Sequence, residues 1–187
     1  MRKLKLAMYI SLDGVVENPA WTGPFFNDEL SQMQADYLFS SDALVLGRVT
    51  YESFASSWPY VPDKPDVSED EKAYARKLNS MRKIVFSKSL GSADWDKSVL
   101  LREIDPDAIR RWKQEDGKDM LIYGSASIVQ QLTNLGLIDE YQLLVHPVVL
   151  GGGKALLKDI ADKHRLKLVS AKPFSSGVVL LTYQRFF

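Results

Sequence analysis

The segment LGRVTYE, residues 46–52, brings together residue types suited to holding an anion. An apolar run ends at Gly47, Arg48 follows, and Thr50 stands where a helix opens. A strand that ends in glycine and turns into a helix presents unpaired backbone N–H groups and the positive end of the helix dipole, and such a turn binds phosphate. Gly47 lets a backbone approach closely, Arg48 offers a fork of charged donors, and Thr50 either caps the helix or donates its hydroxyl. IYGSASIVQQL repeats the arrangement with Gly124 and then the small Ser125, Ala126 and Ser127. Between these two segments, Ser87, Lys88 and Ser89 close a third apolar run with two hydroxyls and an ammonium. Two phosphate-type turns on different strands match the two phosphates of a dinucleotide bound outside the carboxyl ends of a parallel sheet, and residues 87–89 suit the 2'-phosphate of NADPH. Taken singly, each is also ordinary cap and turn chemistry.

Such turns need a frame. Four short apolar runs, LKLAMYISL (4–12), ALVLG (43–47), KIVFS (83–87) and MLIYG (120–124), are bounded by turn residues or charge and read as strands. Helical patterns alternate with them. NDELSQMQADYLF sets Leu30, Met33 and Tyr37 on one stripe, DPDAIRRWKQEDG opens on Asp-Pro and closes on Gly117, and SASIVQQLTNLG ends at Gly136. The polar excursion SSWPYVPDKPDVSEDEKAYARKLNSMRK reads as a surface loop plus a charged helix, because the pieces flanking it lack enough strands for separate cores. No strong helix follows Arg165, and KPFSSGVV reads as a hairpin connection. The expectation is an α/β fold, one domain over residues 1–187, with a mixed, mostly parallel central sheet and an antiparallel C-terminal hairpin.

Composition excludes several functions. A chain of 187 residues suits one core. With 24 basic and 24 acidic side chains the formal charge is zero, so there is no footprint for nucleic acid or an anionic membrane, and any anion must be met locally. The absence of cysteine removes disulfides, thiolate metal sites and cysteine nucleophiles; with only two histidines, far apart, neither a metal site nor a histidine triad is expected. No apolar run reaches the ~18 residues of a membrane span, and MRKLKLAMYISLDG turns to Asp-Gly too soon for a signal peptide. The chain reads as cytoplasmic. GGGK at 151–154 fails the Walker pattern, which requires Gly and Ser or Thr where Val148 and Ala155 stand, and no strand leads through G-x-G-x-x-G into a helix.

In order along the chain, SLDGVVEN, LVLGRVTYESF, KIVFSKSL, MLIYGSASIVQQL and LIDEYQLLVHPVVLGGGKALL together resemble the dihydrofolate reductase superfamily. The likeness is greatest to the group containing the reductase domain of the bifunctional riboflavin-biosynthesis deaminase-reductase. It implies a three-layer α/β/α sandwich and an NADPH-dependent reductase of a small pterin-like or pyrimidine heterocycle, including 5-amino-6-(5-phosphoribosylamino)uracil reductase-type activity in riboflavin biosynthesis. By matching motif, Gly47, Arg48 and Thr50 would hold cofactor phosphate, Ser87 and Lys88 would sit by the 2'-phosphate with Ser89 beside them, and Gly124, Ser125, Ala126 and Ser127 would meet the pyrophosphate. The zinc deaminase signature, H-x-E with P-C-x-x-C, is absent, so the chain is not the whole bifunctional enzyme. A ribose-phosphate tail would need a basic site of its own, and no motif supplies one. The resembling reductases pair as dimers, so a homodimer is expected, with the apolar VVLLTYQRFF at the contact; the same run also suits a central strand within one subunit.

The proton donor marks a departure from dihydrofolate reductase, whose substrate carboxylate stands on the helix before the Gly-Arg turn. The matching position here is near Ser31, and the neighbouring Asp28 and Glu29 are the candidates. On a helical wheel Glu29 and Asp36 flank the Leu30, Met33 and Tyr37 stripe, while Asp28 points away from it. A carboxylate at the edge of an apolar face has its pKa raised; a solvated helix charge is the alternative. Asp13, at the end of the first strand, is a further catalytic and substrate-binding candidate, with an Asp-Gly turn as its plainer role. Trp21 either lines the nicotinamide and substrate cleft or packs its loop. Two functions of different class stand: the reductase, and a nucleotide-binding or scaffolding protein of the same fold without turnover. An acid placed in the cleft favours the first.

Overall fold

Alternation along short aliphatic runs dictates the layers. The computed structural model describes residues 1–186. Its strands are β1 (Leu4–Ser11), β2 (Ser41–Gly47), β3 (Arg82–Phe86), β4 (Ser98–Leu101), β5 (Asp119–Gly124), β6 (Glu140–His146), β7 (Leu166–Pro173) and β8 (Val179–Arg185). They form one sheet in the order β4-β3-β2-β5-β1-β6-β8-β7. Leu4, Leu6, Ala43, Val45, Ile84, Phe86, Met120 and Ile122 turn to one face, where they meet α4 (Pro106–Gln114) and α5 (Ala126–Asn134) through Ile109, Ile128, Val129 and Leu132. The residues between them, Ala7, Leu44, Leu46, Val85 and Leu121, turn to the other face. There α1 (Asp28–Phe39), α2 (Arg48–Ala55) and α3 (Glu69–Ser80) bury Leu38, Tyr51 and Leu78. Strands buried on both faces read as continuous apolar runs, as these do. The sheet is therefore the middle of three layers.

All pairings from β4 across to β6 are parallel, and only β8 runs against its neighbours. β8 lies between β6 and β7, so the apolar C-terminal run is an internal strand of one subunit and its hydrophobicity calls for no partner chain. Phe187, the last residue of that run, lies outside the described residues. Two features escaped the sequence pattern. SVLL is a four-residue edge strand, β4, half-exposed and too short to show a period. The helix after Gly47 begins at Arg48 with Gly47 itself as N-cap, so Thr50 sits inside the first turn and does not cap it. Among the described residues, no helix is long and apolar enough to cross a membrane.

A buried ion pair closes the sheet at the end opposite the strand-to-helix turns. Lys113 of α4 reaches Asp139 at 2.7 Å and donates to the carbonyl of Leu137, while Asp139 accepts from the backbone of Leu4. Both side chains are largely buried, at 10% and 15% exposed. Removing one partner leaves the other charged and unpaired, which costs far more than the pair contributes. Asp139→Ala should lower the unfolding free energy by about 3 kcal/mol, read as a lower urea midpoint at unchanged slope.

Candidate active site

Two strand-to-helix turns meet at the carboxyl ends of neighbouring strands. A Cβ on Gly47 would fall on the side chain of Ser125 and 3.0 Å from its backbone nitrogen. Gly124 has φ +120°, in the left-handed region, and a Cβ there would stand 2.8 Å from Thr50 Oγ1. Each turn thus occupies the space that a side chain on the other would need. The Gly124–Ser125 peptide is cis.

The two helices that follow differ from the rest in their first turns. α1 is capped by Asn27, α3 by Ser68 and α4 by Asp105, and all three carry acidic residues in the first turn. α2 and α5 have no side-chain cap bond and no acid in the first turn. Their orphan N–H groups and dipole ends face the same cavity, of about 1760 Å³, lined by residues 48–50 and 124–128. A helix start left without cap or acid is where an anion binds most favourably.

The cofactor-type residues lie as follows. Arg48 is half-exposed on the cavity wall and pairs with Glu52 one turn on, at 2.8 Å. Ser125 and Ser127 share a hydroxyl contact of 3.0 Å at the mouth of α5, and Ala126 is buried beneath them. Ser87 and Lys88 line the cavity, but the Ser87 hydroxyl already accepts from the backbones of Ser89 and Leu90 and so builds the turn. Ser89 takes part through its backbone N–H. Arg102, just past β4, was missed in the sequence. It donates to the carbonyls of Ser87 and Leu90 and stands on the wall beside Lys88. Because the strand before it has no readable period, nothing in the sequence marked Arg102.

The acids fall out differently from the helical wheel. Asp13 accepts from Ser11 Oγ at 2.6 Å and from the backbones of Leu150 and Gly151 at 3.1 and 2.8 Å. The Ser11 hydroxyl and these two amides hold its carboxyl down at about 2. It is a clip between two loops, ionised at neutral pH, with no proton to give. Glu29 is also reassigned. It accepts from the backbone and hydroxyl of Ser175, which hold its pKa below the usual carboxylate range and tie α1 to the β7–β8 turn. Asp28, which the wheel pointed away from the apolar stripe, lines the cavity with Ser31, Gln32 and Asp36. The reason is where the cleft lies: α1 buries Leu30, Met33 and Leu38 in the core, and the cleft runs along the face turned away from them. Trp21 packs edge-on against His146 at 5.3 Å and donates its indole N–H to the carbonyl of Glu17, so it fastens the loop; nearby Val16, Pro19 and Phe26 form the cavity wall. His146 itself is enclosed by Tyr9, Trp21 and Phe25, with burial lowering its pKa.

Beside the two turns, the cavity wall is aromatic, with Tyr123 next to Gly124 and Phe54 on α2. Phe54 contacts Tyr123 and Trp58, and Trp58 contacts Tyr74, with centroids 6.1, 6.2 and 5.3 Å apart. The Tyr74 and Tyr123 hydroxyls lie 3.3 Å apart. Burial pushes both phenols up, and pushes Tyr37 up to about 12, so these hydroxyls keep their protons at neutral pH. The i,i+4 pair Phe54 and Trp58, and a tyrosine ending the otherwise aliphatic MLIYG run, were the available sequence signals.

The Asp13 clip has a pH signature. Its folded pKa lies below the ordinary 3.8, so its contribution is present above about pH 4 and is lost as the pH falls through about 2. Asp13→Asn should melt below the parent protein at pH 7 in scanning calorimetry, and the gap should close on acidification towards pH 2.

Comparison with known proteins identifies the fold and the family. The uncharacterized protein YyaP of Bacillus subtilis (strain 168) is 31% identical over 182 residues, covering 97% of this chain and 94% of that protein. A putative riboflavin biosynthesis protein from Shewanella sp. PV-4 superposes with a TM-score of 0.74 at 20% identity, over all of both chains. Dihydrofolate reductase from Enterococcus faecalis, solved with NADP(H), superposes with a TM-score of 0.65 at 15% identity, over 99% of this chain and 97% of that one. These structures share the three-layer fold. The family model of the RibD C-terminal domain matches residues 2–180, and the chain belongs to that family.

Proposed function

We propose that this protein is an NADPH-dependent reductase that transfers a hydride to a flat pyrimidine- or pterin-type heterocycle, a reductase-type function of the riboflavin-biosynthesis kind that its membership of the RibD C-terminal domain family supports. The observation that carries this reading is the pair of uncapped, acid-free helix starts opening into one cavity beside Arg48, Lys88 and Arg102. The donor set fits a dinucleotide: two helix starts for two phosphates and cations for the 2'-phosphate, with Gly47 and Gly124 letting the two turns approach each other. Bound there, NADPH supplies the hydride, and the protein's own work is to position the acceptor and manage one proton.

In this reading Arg48, Thr50 and residues 124–127 hold the cofactor phosphates, while Lys88 and Arg102 meet the 2'-phosphate with Ser87 and Ser89 shaping the turn. The aromatic side receives the heterocycle. Of the three acids considered from sequence, Asp28 alone faces the cavity, joined there by Asp36 and the protonated Tyr74 and Tyr123 hydroxyls. Proton-bearing and ionisable groups lining the same cavity as the turns favour turnover over a scaffolding role.

A thermal-shift titration with NADPH and NADH in parallel tests the reading, since a ligand of the folded state stabilises it by RT ln(1 + [L]/Kd). NADPH should raise the melting temperature and NADH should do so far less. Equal shifts would remove the 2'-phosphate site, and no shift at millimolar ligand would remove the cofactor altogether. Arg48→Ala should weaken NADPH binding by about 1 to 3 kcal/mol, the size of a charge-assisted bond to phosphate. Unchanged affinity would leave Arg48 with its Glu52 pair alone.

A further inference from the structure

The cavity is electrostatically divided. Its cations on the cofactor side are Arg48, Lys88 and Arg102, with Glu103 the acid among them. Lys154 stands on the Gly-rich strap that Val16 and Gln130 hold, on the α5 face of the sheet and beside Glu17. Between α1 and α3, the lining carries Asp28, Asp36, Asp70 and Glu71, and no lysine or arginine among the described residues. Lys72 of α3 is turned onto Glu69 at 3.0 Å. The start of α3, otherwise a place for an anion, is capped by Ser68 and filled by its own Glu69, Asp70 and Glu71. The rings of Phe54, Trp58, Tyr74 and Tyr123 line the same cavity in contact with one another and offer a planar ring aromatic contacts.

Resting on the reductase reading, we propose that this half of the cavity selects a flat heterocycle without a phosphate or carboxylate tail, neutral or protonated, and rejects the phosphoribosyl form of a pyrimidine. A phosphate monoester brings about −1.5 to −2 charges and needs cationic or N–H donors. Here it would meet four carboxylates and a capped helix start instead. All four carboxylates are exposed, so their repulsion of a phosphate acts through solvent and is strongest at low salt; specificity is obtained as much from such repulsion as from new contacts. Aromatic faces with carboxylates at their rim instead welcome a protonated ring. The departure from the family's phosphoribosyl substrate therefore lies in the α1 and α3 stripes, while the cofactor side stays basic.

The test compares one ring with and without its phosphate. Binding of 5-amino-6-(5-phosphoribosylamino)uracil and of its phosphatase-treated counterpart is measured by calorimetry at low salt, on the cofactor-free and the NADP⁺-loaded protein. The phosphate-free compound should bind at least about tenfold more tightly, the gap narrowing at high salt as screening shortens the repulsion. Asp28→Asn with Asp36→Asn should narrow it by raising affinity for the phosphorylated compound, while the NADPH thermal shift stays at the parent value. Equal or tighter binding of the phosphorylated compound, or no binding of the phosphate-free one, overturns the proposal. Loss of the reductase reading shows separately, as no stabilisation by NADPH, and the comparison on cofactor-free protein still decides charge selectivity.

Discussion

The mutual approach of the turns at Gly47 and Gly124 is the contact on which the rest of the site depends. β2 and β5 are neighbours, both end in glycine, and each glycine lacks the atom that would strike the other turn. With no linker between β2 and α2 and only Ser125 between β5 and α5, the strands pass directly into helices. Two helix starts are thereby aimed into one cavity from opposite faces of the sheet. Side chains at these glycines would push the turns apart and separate the helix starts that the cavity brings together.

Electrostatics then divides the cavity. Helices with no contact to the phosphate-type turns neutralise their own starts with Asn27, Ser68 and Asp105 and with first-turn acids. α2 and α5 leave theirs bare, and Arg48, Lys88 and Arg102 add positive charge nearby. Across the cavity the acids of α1 and α3 stand over a chain of rings.

The same residue types serve as scaffolding a short distance away. Asp13 joins the turn after β1 to the Gly-rich strap, and Glu29 joins α1 to the hairpin turn at Ser175. Both hold carboxylates in the ionised form by direct donors, and that is the opposite of what a proton donor requires. Trp21 and His146 form a third fastening, edge to face, that sets the loop on the cavity's rim. Polar and aromatic ties thus add to the apolar anchors Val15, Leu156, Phe174 and Val178 in holding the loops around the cleft.

Local pattern was sufficient for the frame. The runs at 4–12, 43–47, 83–87 and 120–124 carry the central strands because most of their side chains are apolar and buried on one face of the sheet or the other, and the glycines ending two of them mark the paired turns. Those residues are adjacent in sequence to the helices they serve, so their chemistry was readable there. The acids were not. Whether Asp28 or Glu29 faces the cleft depends on how α1 is rotated by Leu30, Met33 and Leu38 against strands far away in sequence, and Asp13 acquired its partners from residues 137 and 138 positions on. Arg102 reached the cavity only because β4 pairs with β3. Sequence by itself determined the longer strands, the helices and the glycine-ended turns between them, which are set by neighbours along the chain; tertiary packing alone decided the short edge strand β4 and which charges share the cavity, because long-range contacts choose where each side chain points.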